Sequence, residues 1–157
     1  MARVLILGYG NPFRSDDGLG WQVAVQLLRT TPAPEVEILP CLQLTPELAE
    51  PISRAECVLF IDSPREGVPG AFRCREVEPC AGPASLTHEL SPQVLLGIAR
   101  DLYSAFPEAY LLSISGESFE AGEALSVAVE ARIPELRARL RELVAEALHL
   151  ETAPLSR

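Results

Sequence analysis

A chain of 157 residues with 48% apolar content can bury one substantial core but falls short of two. Its formal charge of −9, from 22 acidic and 13 basic residues, argues against a nucleic-acid partner, because phosphate binding depends on clustered cations. All 13 basic residues are Arg, which excludes a P-loop lysine and any amine nucleophile.

One domain spanning 1–157 is therefore expected. No apolar stretch approaches the roughly 20 residues that cross a bilayer, and Arg3 opens the first strand without a basic leader and apolar h-region. These features predict a soluble cytoplasmic protein with no membrane partner. Cys41, Cys57, Cys74 and Cys80 have neither CxxC spacing nor the density of a disulfide scaffold, so buried reduced thiols are expected.

In chain order, Arg3-Val4-Leu5-Ile6-Leu7 reads as a buried strand. The glycine-rich turn GYGNPFRSDDGLG (Gly8 to Gly20) follows it and opens a helix whose apolar residues recur at helical spacing through Leu28. Thr31 to Pro34 is a turn, and Glu35 to Leu39 alternates as a second strand. Thr45-Pro46-Glu47 looks like a capped helix start with Pro at its first position, running to about Arg54. Cys57 to Ile61 is the most apolar run, a central strand that ends abruptly on Asp62-Ser63-Pro64. Ala71 to Val77 alternates as a half-exposed strand. The connection before it is too short for a parallel crossover, so it is predicted to run antiparallel at or near an edge.

Pro79 to Ser85 is loop, and Ser91-Pro92 repeats the cap-plus-Pro signature for a helix running through Phe106. Ala109 to Ile114 is the last strand and Ser115 to Gly122 a glycine-containing loop. A helix from Leu125 to Val129 then continues from Ile133 to Leu150 with a break or kink at Pro134. Strands alternating with helices define an α/β class. The expected fold is three-layer, a twisted, mostly parallel five-stranded sheet with helices on both faces and one strand antiparallel.

Three places carry candidate chemistry: the Asp16-Asp17 pair, Asp62 and His88. Loops at the carboxyl ends of strands converge in open α/β sheets, so Asp17 and Asp62 can meet there, with His88 joining them if its loop folds over the same edge. Two carboxylates and one imidazole form a three-ligand set for a divalent transition metal with a position left open. The competing reading makes Asp16 or Asp17 a cap of the first helix. Dinucleotide binding fits poorly: the third glycine of GxGxxG falls on Phe13, and two carboxylates would face the pyrophosphate. No GxSxG elbow surrounds Ser113, Ser115 or Ser118. His149, in the polar tail of the last helix, reads as surface.

LILGYGNPFRSDDGLG, the apolar strand ending in Asp62, THELSP around His88, and SISGESFEAGEALS before the last helices resemble, in order, the hydrogenase maturation proteases. The resemblance covers nearly the whole chain. It implies an endopeptidase that removes the C-terminal extension of a nickel-iron hydrogenase large-subunit precursor after nickel insertion. By motif position it assigns the family's nickel-binding and catalytic residues to Asp17, Asp62 and His88, with nickel carried by the substrate or another divalent metal held in the resting enzyme. The first-loop ligand is Glu in some relatives, so Asp17 gives it a shorter reach. Asp16 or Asp17 could alternatively act as general base while the metal only docks the precursor. The reading from another class is a non-catalytic α/β module that binds a metal or the precursor.

Overall fold

The computed structural model describes residues 3–30, 33–81 and 90–149. The apolar runs form five strands: β1 (Val4–Tyr9), β2 (Val36–Cys41), β3 (Cys57–Asp62), β4 (Phe72–Glu76) and β5 (Glu108–Ile114). They make one sheet in the order β2-β1-β3-β5-β4. The contacts β1 to β2, β1 to β3 and β3 to β5 are parallel, and β4 pairs antiparallel with β5 at the edge. Residues 63–71 are too few to carry the chain back for a parallel pairing, which explains the reversal.

Alternation along the central strands sends side chains to two separate cores. On one face Val4, Ile6, Leu59, Ile61, Leu112 and Ile114 pack with Leu19 and Val23 of α1 (Leu19–Thr30). Leu136, Leu140 and Leu143 of α5 (Ile133–Ala147) complete that core. On the other face Leu5, Leu7, Val58 and the fully buried Phe60 pack with Ile52 of α2 (Ala49–Ser53) and Leu95 and Ala99 of α3 (Pro92–Tyr103). Burial on both faces is why β1 and β3 read as unbroken apolar runs. The half-exposed β2 lies at the opposite edge from β4.

Element ends depart from the sequence reading where caps decide them. Ser91 accepts a hydrogen bond from the Val94 N–H at 3.2 Å and caps α3 as expected. Thr45 makes no side-chain cap bond; Pro46 to Leu48 forms a 3-10 turn that leads into the short α2. Helix α3 stops at Tyr103, short of Phe106, because Ser104 takes the left-handed conformation at φ 54°. A separate α4 (Val127–Glu130) precedes α5, and Pro134 sits in the first turn of α5, where its missing N–H costs no hydrogen bond, rather than kinking one long helix.

All four cysteines are free, but only Cys57 is buried; Cys41 and Cys74 are half-buried and Cys80 is exposed. No helix among the described residues is long and apolar enough to cross a membrane.

Candidate functional site

From β1 the chain passes through α1 to β2 on one side, whereas β3 and β5 lie on the other side of β1. The switch point between β1 and β3 is where an open α/β sheet forms a crevice at its carboxyl edge. Both sequence-selected aspartates border it. Asp17 lies in the loop that leaves β1, and Asp62 is the final residue of β3. Gly8 stands opposite Ile61 in the parallel register, so Asp62 comes level with Tyr9.

The glycines of the turn permit close backbone approach. A Cβ on Gly20 would lie 2.3 Å from the Ile61 carbonyl oxygen and 2.6 Å from the Tyr9 backbone, so α1 begins directly against the ends of β1 and β3. Gly10, at φ 136°, presses against the Asp17 carbonyl, where a Cβ would stand only 1.7 Å from the oxygen. The loop is thereby drawn in, holding Asp17 over the sheet edge.

Backbone donors orient both carboxylates. The Asn11 N–H donates to Asp17 Oδ2 at 2.9 Å, and the Ser63 N–H donates to Asp62 Oδ1 at 2.8 Å. Both aspartates are half-buried, open enough for a ligand to reach. Ser63 is itself fixed, its hydroxyl donating to the Ile114 carbonyl at 2.8 Å and tying the end of β3 to β5. Asn11 and Ser63 were not singled out in the sequence. Their signal is only adjacency to a loop aspartate.

Asp16 has a different job. It is fully buried, and its carboxylate accepts N–H groups from Glu117 at 2.8 Å, Ser118 at 3.1 Å and Ser126 at 2.7 Å. Burial alone would push its carboxyl up, but these donors, with the Ser126 hydroxyl, hold it below the usual carboxylate range. Its own N–H donates to the Ser118 carbonyl, and Ser15 bonds to Gly122 and Glu120. The loop after β5 is thus clamped onto the loop after β1. Asp16 caps no helix and cannot serve as general base: its oxygens are occupied and no substrate proton can reach them. The two neighbours diverge because Ser15 to Gly18 is a 3-10 turn, in which successive side chains point about 120° apart.

His88 lies outside the described residues. Among the described residues no group of three or more His, Cys, Asp or Glu side chains could hold a metal ion. What this edge contributes there is a pair of carboxylates, each held by a backbone N–H. Carboxylate oxygens fixed in this way by outer hydrogen bonds are the kind of oriented oxygen donor a divalent metal takes.

The fold matches known structures over nearly its full length. HycI from Thermococcus kodakarensis KOD1, a NiFe hydrogenase maturation protease, is 27% identical, with 94% of this chain and 93% of that one covered at a TM-score of 0.70. The hydrogenase 2 maturation peptidase from Thaumarchaeota archaeon SCGC_AB-539-E09 is also 27% identical, covering 95% and 99% at a TM-score of 0.64. This is the fold of the NiFe hydrogenase maturation proteases. The hydrogenase maturating endopeptidase HybD from E. coli, at 22% identity, repeats it over 92% and 93% of the two chains at a TM-score of 0.72. No protein-family model and no curated protein matches the chain. Among the described residues, Asp17 and Asp62 are half-buried carboxylates oriented by backbone donors at the β1/β3 switch point of this fold.

Proposed function

We propose that this protein is a cytoplasmic endopeptidase that removes the C-terminal extension of a nickel-iron hydrogenase large-subunit precursor after nickel insertion. The observation that carries the reading is the placement of Asp17 and Asp62 at the carboxyl ends of neighbouring strands, at the switch point, in a fold shared with maturation proteases. Asp17, Asp62 and His88 are the residues assigned to hold the nickel that arrives with the substrate. When bound, such a metal supplies Lewis acidity to a carbonyl or lowers the pKa of a water.

The chain's own residues do the rest. Asn11 and Ser63 hold the two carboxylates in a fixed aim before substrate arrives, so little reorganisation is needed on binding. In the alternative in which the metal only docks the precursor, Asp17 rather than the fully buried Asp16 is the carboxylate that can take a proton from water. Incubation with nickel-loaded precursor, followed by the size of the large subunit, tests the assignment. Cleavage is expected with the native sequence and absent after joint Asp17→Ala and His88→Ala replacement; cleavage by the double variant would refute the site.

A further inference from the structure

A hollow of about 360 Å³ opens between α1 and α5 over the β2 side of the sheet, outside the site described above. Val36 and Ile38 of β2 floor it, Leu27 of α1 forms one wall, and Val144 of α5, with Leu148 just beyond it, forms the other. Val36 opens β2, and α5 ends near the start of β1, where the Arg3 guanidinium donates to the Ala147 carbonyl at 3.1 Å. The hollow therefore lies toward the amino ends of the strands, opposite the edge that carries Asp17 and Asp62. Of its ten lining residues only Arg141 is polar. Water in such a space finds few partners, and the volume falls within the roughly 300–1,000 Å³ of small-molecule sites.

Charge decides what kind of apolar molecule suits it. Arg141, at the exposed rim, makes no ion pair among the described residues, and neither does Arg137, one turn earlier on the same face of α5. Arg137 instead donates to the Gln26 side-chain oxygen at 3.3 Å, a bridge from α5 to α1. The acidic side chains of the surrounding elements are engaged or turned away. Glu135 lies with Arg132 at 2.8 Å, Glu142 and Glu146 with Arg139 at 2.9 and 4.0 Å, and Glu35 with Arg3 at 3.4 Å. Glu37 alternates to the other face of β2, where its charge acts on Arg54. Exposed Arg29 in the last turn of α1 and exposed His149 beyond α5 add no negative charge.

We propose that this hollow binds a straight-chain fatty acid, its alkyl chain against Leu27, Val36 and Ile38 and its carboxylate on the Arg141 guanidinium at the rim. A neutral hydrocarbon would leave Arg141 unused, and a small anion would leave the apolar walls wet. A fatty acid satisfies both, because a guanidinium takes a carboxylate through two parallel N–H bonds.

Isothermal titration of the full chain with decanoate, and with decanol as the same chain without charge, tests this. Native protein is expected to bind decanoate saturably in equal proportion. Arg141→Gln should weaken decanoate at least roughly tenfold, through loss of a charge-assisted pair, and leave the weaker decanol binding unchanged. Ala145→Phe puts a ring into the hollow from α5 and should abolish binding of both. NMR contacts between decanoate and the Leu27 and Val144 methyls of native protein are expected as well, and they locate the ligand without any variant. Absence of those contacts, no saturable decanoate binding, or equal decanoate affinity for native and Arg141→Gln proteins overturns the proposal. Uptake of many decanoate molecules per chain that survives Ala145→Phe in a folded variant is surface adsorption and overturns it too.

Discussion

Replacing Asp16 by Ala removes a carboxylate that serves three backbone donors between 2.7 and 3.1 Å, from residues more than 100 positions away. Hydrogen bonds to a charged group contribute about 1.5–3 kcal/mol each, and they do not add because the loop relaxes once released. The expected loss is about 3–5 kcal/mol, which for a domain of this size lowers Tm by roughly 6–20 °C. Thermal and urea unfolding of the variant give both numbers. A loss below about 1 kcal/mol would mean that the clamp is not what holds the loop after β5. The pH dependence supplies an independent arm. Because folding depresses the Asp16 pKa, its contribution is complete above the ordinary carboxylate value near 3.8 and fades as pH falls toward the lower folded value. Native protein should therefore lose more stability than Asp16→Ala on acidification below about pH 4, and the two unfolding curves should converge. Parallel curves would refute the depressed pKa.

Two further outcomes follow from close packing and burial. Gly20→Ala drives a methyl into the Ile61 carbonyl and the Tyr9 backbone, so it should cost about 2–3 kcal/mol by denaturant melts and also weaken nickel binding through displacement of the Asp17 loop. In native protein at pH 8 a thiol reagent should modify exposed Cys80 while sparing Cys57, whose thiol is pushed up to about 12 chiefly by burial, with Glu108 and Glu146 adding to it. Equal labelling of the two would contradict the buried position of β3.

Strands β1 and β3 were legible because burial on both faces leaves an unbroken apolar signature, and the reversal at β4 was legible from the length of its connection alone. Helix ends were less so. Thr45-Pro46 and Ser91-Pro92 carry the same signal, yet only Ser91 makes the cap bond. The stop at Ser104 depends on a backbone angle that its side chain does not announce. In the acidic pair, sequence offered two equivalent carboxylates, and their roles part because the donors that claim Asp16 arrive from the far end of the chain. Position at the sheet edge was foreseeable for Asp17 and Asp62. The bracing by Asn11 and Ser63 was not, since any loop residue has an N–H to give.

The clamp on Asp16 also bears on the order of events during synthesis. The acidic loop is among the first segments translated, but the N–H groups that settle it belong to residues Glu117, Ser118 and Ser126, which leave the ribosome roughly 5–20 s later. A nascent chain can pair β1 with β3 and still leave the Asp16 carboxylate without its three donors. The two loops are therefore locked together only after the loop that follows β5 has been made.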